Sequence, residues 1–174
     1  MLPTLGRARG ARSKEDLHAG DPRIIEQLNQ VLRKELTGIN QYFIHSRMCR
    51  NWGYAVLAKV AHDESIEEMK HADRIIERIL FLDGAPNLSD YDRILVGRSV
   101  REQIDNDLAL ETAALAVLRP AIALCLEARD HATRELLESI LLDEERHVDW
   151  LEAQKHKIDE VGYQGYLAQQ IYGK

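Results

Sequence analysis

One pattern constrains this chain more than any other: the arrangement Glu…Glu-x-x-His occurs twice at equal spacing. Glu35 precedes Glu68-Met69-Lys70-His71, and Glu111 precedes Glu144-Glu145-Arg146-His147. The separation is 33 positions in each half (68 − 35 and 144 − 111). Both Glu-x-x-His stretches lie in segments of helical periodicity, where residues three apart share a face. Each therefore directs a carboxylate and an imidazole the same way. Four helices that carry these six side chains to one centre make the ligand set of a dimetal carboxylate site in a four-helix bundle. The pattern predicts an all-α bundle.

The helices can be placed from caps and seams. Asp21-Pro22 supplies an N-cap acceptor and a first-turn proline, opening a first helix that reaches about Trp52. Its seam of Leu28, Leu32, Glu35, Ile39 and Tyr42 keeps one face inward. After Gly53 a second helix covers about Tyr54 to Asp83, with the seam Leu57, Val60, Glu64, Glu68, His71, Ile75 and Ile79. Gly84-Ala85-Pro86-Asn87 stops it. Residues 84–98 form a long connection, which has to cross the bundle if a second helix pair is to run alongside the first. Ser99-Val100-Arg101-Glu102 has the capping-box pattern and opens a third helix with the seam Ile104, Leu108, Glu111, Leu115, Leu118 and Ile122. Pro120 inside it removes the bond to Ala116 and is expected to kink or loosen the helix. A turn near Arg129 and Asp130 leads to a fourth helix running to about Val161, with the seam Leu137, Ile140, Glu144, His147 and Leu151. Gly162 ends it, leaving Tyr163 to Tyr172 as a short fifth helix. Residues 1–20, where Arg7, Arg9, Arg12 and Lys14 sit among glycines, read as a flexible basic tail, and residues 21–174 as one domain.

Each long helix thus carries an ionisable ligand type in the middle of an apolar seam. Burying an unpaired carboxylate costs several kcal/mol, and four converge here with no Lys or Arg on the same stripes, so the pattern demands a cation. Hydrogen-bonded polar core residues would explain any one of these glutamates, but not six residues in a two-fold repeat. Four carboxylates and two imidazoles without a thiolate suit iron or manganese better than structural zinc. The pseudo-symmetry assigns Glu35 with His71 to one ion and Glu111 with His147 to the other. Glu68 and Glu144 would bridge, at the ~3.5 to 4 Å separation of two-metal sites.

The stretches Glu35-Leu36-Thr37-Gly38-Ile39-Asn40-Gln41-Tyr42-Phe43, Glu64-Ser65-Ile66-Glu67-Glu68-Met69-Lys70-His71-Ala72-Asp73-Arg74 and Asp143-Glu144-Glu145-Arg146-His147-Val148-Asp149-Trp150 closely resemble the bacterioferritins. The resemblance runs from about Asp21 to the C-terminus, and all six ligand positions match. It implies a ferritin-like four-helix bundle with a long crossover between the second and third helices and a short fifth helix. It further implies iron storage and detoxification by a ferroxidase with two Fe ions per subunit, which oxidises Fe(II) with O₂ or H₂O₂. Ferric mineral would be deposited inside a homo-oligomeric shell of twenty-four subunits built from dimers, and a bacterioferritin-associated ferredoxin is the partner expected for iron release.

Met69 follows Glu68 and so projects about 100° away from it. It shares a second, largely apolar stripe with Ile66, Ala72 and Ile76, suited to a partner subunit. Packing is the commoner use of methionine. In bacterioferritins, however, the equivalent Met from both subunits ligates haem b across a two-fold axis, so the resemblance implies haem b shared between two subunits at Met69. Tyr42 is a candidate donor to the site or electron source, with a plain core tyrosine as the alternative. Trp52 is also matched in the family. Asp63 and Glu67, on the polar face of the second helix, could feed iron to the interior or be solvated charges. Departures from the family pattern are the N-terminal tail, Pro120, His62 where a tyrosine is frequent beside the haem, and Ile75 where some members carry a tyrosine. His18, His45, His131 and His156 lie off the seams and receive no special role.

A formal net charge of −6 argues against nucleic acid as the main partner. Cys49 and Cys125 form neither a CxxC nor a disulfide framework, and no secretory signal is evident, which fits a cytoplasmic protein. No run approaches the ~18 consecutive apolar residues of a membrane span, so no membrane partner is expected. Two alternatives belong to other classes. A soluble di-iron peroxidase of rubrerythrin type would usually append a segment with paired CxxC motifs, and a purely structural shell would be expected to lose ligands. This chain shows neither feature.

Overall fold

The structure is a computed structural model that describes residues 20–172. The basic tail expected at residues 1–20 lies, Gly20 apart, outside the described residues. Five helices follow in order: α1 (Pro22–Asn51), α2 (Ala55–Phe81), α3 (Val100–Ala128), α4 (His131–Val161) and α5 (Tyr163–Ala168). The first four form the bundle, with α1 packed on α2, α3 on α4 and α1 on α3.

The caps act as their residue types dictate. The Asp21 carboxylate accepts from the Arg23 backbone N–H at 2.9 Å and opens α1. Ser99 Oγ accepts from the Glu102 N–H at 3.2 Å, while the return arm of this box differs from the standard pattern: Glu102 Oε2 accepts from Arg98 N–H at 2.7 Å. Pro120 lies inside α3, which continues through it as one helix. Pro120 and Ala116 are both exposed, so water can satisfy the carbonyl that the proline leaves unpaired. The fifth helix is shorter than expected and ends at Ala168. It is nonetheless held, because Tyr166 is buried in the core and the Gln170 carbonyl accepts from Val56 N–H at 3.0 Å. By length and composition α3 could cross a membrane, but it is a bundle helix that carries the buried Glu111.

Residues 82–99 cross the whole bundle against α1. Asn29 meets this segment at Ala85 and Asn87, Arg33 and Lys34 pair with Asp92, and Thr37 Oγ1 accepts from Asp92 N–H at 3.0 Å. Gln41 Oε1 accepts from Leu95 N–H at 3.0 Å, and His45 Nε2 accepts from Gly97 N–H at 3.2 Å. Positions 29, 33, 37, 41 and 45 recur every four residues, so one face of α1 holds the crossover along its length. This corrects the reading of His45. It is off the metal seam yet buried, with Nδ1 at 2.9 Å from Asp107, which also accepts from Gln41 Nε2 at 2.8 Å.

The apolar interior divides in two. One cluster gathers Leu28 and Leu32 of α1, Ile75 and Ile79 of α2, Leu118 of α3, and Leu137 and Ile140 of α4. The other gathers Cys49, Leu57, Ile104, Leu151 and Tyr166. Each long helix passes from the first cluster to the second, and the residues it carries between them are polar.

Candidate metal centre

Those polar residues are the six picked out by the repeat. Glu35 from α1, Glu68 and His71 from α2, Glu111 from α3, and Glu144 and His147 from α4 are all buried. One group, Glu35, Glu68, His71 and Glu144, brings one ligand atom of each residue within 4.8 Å of the others. A second, Glu68, Glu111, Glu144 and His147, does the same. Two cations placed in these groups would share Glu68 and Glu144. Gly38 of α1 is what admits Glu68 so close: a Cβ there would stand 3.0 Å from the Glu68 carboxyl carbon.

The imidazoles face the cluster through Nδ1. His71 Nδ1 lies 3.2 Å from Glu35 and 3.3 Å from Glu144, and His147 Nδ1 lies 3.3 Å from Glu144 and 3.6 Å from Glu111. The Tyr42 hydroxyl donates a short hydrogen bond to Glu111. Among the described residues, no Lys or Arg pairs with the four inner carboxylates, whose basic partners are these two histidines alone.

Burial shapes the titration of the cluster. It drives Glu68 well above the ordinary carboxylate range, and the charges of Glu144, Glu35 and Glu111 add to the shift. Glu111 is raised in the same way by burial and then by Glu144, and Glu35 by burial foremost. Glu144 moves the other way: burial would raise it, but the close imidazoles of His147 and His71 hold it below the usual range. His71 is pushed up to about 9, because its bonds to Glu144 and Glu35 outweigh the downward pull of burial. His147 is also raised, against burial, by Glu111, Glu144 and Glu64. The cluster thus holds protons where a cation could stand in their place.

The donor set fits a divalent metal pair on a direct observation. Glu35 Oε1, Glu68 Oε1, both oxygens of Glu144 and His147 Nδ1 are buried without a hydrogen-bond partner. Such orphaned lone pairs are costly unless a cation takes them. The chain matches the ferritin-like domain family over residues 25–161. It is 47% identical over 150 residues to the bacterioferritin of Mycolicibacterium paratuberculosis, covering 86% of this chain and 94% of that one. It is 48% identical over 147 residues to the bacterioferritin of Rhodobacter capsulatus, covering 84% and 91%.

The chain belongs to the bacterioferritin family.

As a bacterioferritin chain it places Met69 apart from the cluster, on α2, with 50% of its surface exposed. Ile66 beside it is exposed too, whereas Ala72 is buried and Ile76 packs partly against the core. The second apolar stripe therefore faces outward only at its Ile66 and Met69 end. Asp63 is exposed and paired with Lys59, and His62 is about half exposed beside it. Ile75 is fully buried in the apolar cluster. Trp52 caps the C-terminus of α1 and packs on the second cluster.

Two carboxylates that had been given no role at the site touch its histidines from outside. Asp143 Oδ2 lies 3.2 Å from His71 Nε2, and Glu64 Oε2 lies 2.7 Å from His147 Nε2. Glu64 was visible in the sequence as a seam residue one turn before Glu68. Asp143 had no such signal, because it reaches a histidine on another helix.

Proposed function

We propose that this chain stores and detoxifies iron, with Fe(II) as the substrate of a ferroxidase centre formed by Glu35, Glu68, His71, Glu111, Glu144 and His147. The observation that carries the reading is the convergence of four buried carboxylates and two imidazoles into two groups with Glu68 and Glu144 in common. Glu35 and His71 hold one iron, Glu111 and His147 the other, and Glu68 and Glu144 bridge. Two Fe(II) supply two electrons; with two protons these reduce O₂ to H₂O₂, or H₂O₂ to two waters. Anionic ligands favour Fe(III) over Fe(II), which lowers the cost of giving up the electrons. Tyr42 holds Glu111 in place by its hydroxyl.

Residues 21–174 act as one ferritin-like domain that assembles into a cytoplasmic shell of twenty-four subunits around ferric mineral. The exposed thioether of Met69 and the exposed Ile66 suit a haem b shared with a partner subunit, which would supply a path for electrons from a ferredoxin-type partner to reduce stored Fe(III) for release as Fe(II). The test is size-exclusion chromatography of the purified protein with an absorbance spectrum and iron assay, followed by anaerobic addition of two Fe(II) per chain and mixing with O₂ or H₂O₂. A shell-sized particle that oxidises the iron in a rapid phase is expected. Oxidation no faster than in protein-free buffer overturns the ferroxidase assignment.

A further inference from the structure

Beside the metal cluster, towards the second apolar cluster, the bundle holds a cavity of about 30 Å³. A single water needs roughly 10–15 Å³, so a diatomic molecule has room. Its deep end, at Tyr42, Cys49 and Ile104, is buried, whereas Ala61, Glu64 and Trp150 are partly exposed and form a mouth between α2 and α4. Most of the wall is apolar, contributed by Leu57, Val60, Ala61, Ile104, Leu151 and the Trp150 ring. The polar groups in it are turned to partners. His45 Nδ1 lies 2.9 Å from Asp107, which also accepts from Gln41 Nε2 at 2.8 Å, Cys49 Sγ donates to Gln103 Oε1 at 3.1 Å, and the Tyr42 hydroxyl donates to Glu111. Among the described residues, one lining atom, Glu64 Oε2, is buried without a hydrogen-bond partner. A trapped water needs about two to four polar partners, so this wall gives water little to hold and suits a small apolar guest. Two lining residues also border the centre. Tyr42 reaches Glu111 through its hydroxyl, and Glu64 Oε2 lies 2.7 Å from His147 Nε2, so one side chain stands between the cavity and the Glu111/His147 half of the cluster.

We propose that this cavity is a dioxygen site, which takes up O₂ through the mouth between α2 and α4 and holds it beside the Glu111/His147 half of the centre. This rests on the ferroxidase reading above. O₂ is small and apolar, gives up no strong hydrogen bonds on leaving water, and matches the wall. H₂O₂ carries two donors that the wall would leave unpaired, so it reaches the centre by another route. The two oxidants therefore differ in their dependence on the cavity.

Xenon is the probe, an apolar atom that binds dry protein cavities and needs no iron. Crystals of the assembled, chelated protein are pressurised with xenon, and initial rates of Fe(II) oxidation are measured in solution against O₂ and against H₂O₂. Wild type is expected to show an anomalous peak between Tyr42, Ile104 and Trp150. Ala61→Leu, which carries an isopropyl group into the mouth, should lose that peak and raise the O₂ concentration that gives half-maximal rate, while rates with H₂O₂ stay unchanged. Overpacking can cost assembly, so Ile104→Val, which enlarges the cavity by a methyl group, is measured beside it. It should raise xenon occupancy and lower the half-maximal O₂ concentration. An ordered water in place of xenon in wild type overturns the proposal. So does an Ala61→Leu protein that has lost xenon yet keeps the wild-type dependence on O₂, or that is slowed equally with both oxidants, which would mark damage to the centre itself. If only Ile104→Val assembles, unchanged xenon occupancy and O₂ dependence overturn it. Failure of wild type to oxidise Fe(II) with either oxidant refutes the ferroxidase centre instead, while the xenon peak still decides whether the cavity takes an apolar gas.

Discussion

Adding a redox-inert divalent ion such as Zn(II) to the chelated protein should raise its melting temperature, and it should do so increasingly as pH rises. Metal binds the folded cluster and not the dispersed ligands. One ion at a hundredfold excess over its Kd therefore adds about 2.7 kcal/mol, or about 5 to 11 °C for a domain of this size. The pH dependence follows from the protons that the cluster holds. Glu35, Glu68 and Glu111 are raised above their unfolded values, so the stability each contributes as a protonated group is lost as pH rises through its folded value. His71, raised to about 9, contributes stability that is fully present below about 6.5 and lost as pH climbs through 9. A shift of that size corresponds to on the order of 3 kcal/mol. Glu144 is depressed and runs oppositely, losing its contribution only in acid. Chelated protein should thus lose stability between about pH 6.5 and 9, while the Zn(II)-induced rise grows from pH 5.5 to 8 because ligation needs the deprotonated groups. Scanning calorimetry across that range with and without Zn(II) is the assay. A metal shift that does not vary with pH, or a chelated melting temperature that climbs from pH 6.5 to 9, would refute the reasoning.

Three other outcomes are expected. Glu68→Ala removes a ligand common to both groups, so rapid Fe(II) oxidation should vanish while the shell assembles, as read by stopped-flow absorbance and size; wild-type rates would remove Glu68 from the centre. Met69→Leu conserves packing but supplies no sulfur, so the Soret band of protein expressed with excess haem precursor should disappear while oxidation persists; a normal bis-thioether spectrum in the variant would place the haem ligand elsewhere. Asp107→Leu strips the acceptor from both His45 and Gln41, two buried donors at about 1–3 kcal/mol each, and should destabilise the bundle by about 2–6 kcal/mol with hydrogen exchange quickening at residues 85–97. Asp107→Asn, which keeps one oxygen, should recover part of that loss.

The four long helices and the six inward-facing polar side chains were legible in the sequence for the same reason. A seam in steps of three and four places residues on one face, and a carboxylate in such a seam is conspicuous against leucine and isoleucine. Helix ends came out within a few residues because these caps act locally: the Asp21 and Ser99 side chains accept from N–H groups two or three residues on, and Gly162 takes the positive φ that ends α4. What stayed hidden depends on neighbours distant in sequence. His45 breaks the metal seam of α1 and looked idle, yet it lies on the second face, the one that the crossover covers. That face is polar, with Asn29, Arg33, Thr37 and Gln41 on it, and the partner segment that covers it has no periodicity to announce the contact. Pro120 does not end α3, which continues past it with the freed carbonyl at Ala116 open to water.

The centre's place between two apolar clusters bears on why these residues can be there at all. Four buried carboxylates with two imidazoles are a poor way to stabilise a bundle, since apolar side chains of similar volume would often hold it as well or better. The cost is tolerable because the helices are anchored on both sides, by Leu28, Ile79, Leu118 and Leu137 at one end and by Leu57, Ile104, Leu151 and Tyr166 at the other. Neither cluster needs the ligands in order to pack, so the helix backbones can hold the carboxylates at fixed separation against their mutual repulsion. A loop-borne site would relax by moving apart. Here the repulsion has no such outlet, and it is relieved by protons or by cations; the orphaned oxygens of Glu35, Glu68 and Glu144 show which atoms the cations would take. Repulsion between like charges, held by the packing on either side, would thus be the physical source of the proposed centre's affinity for metal.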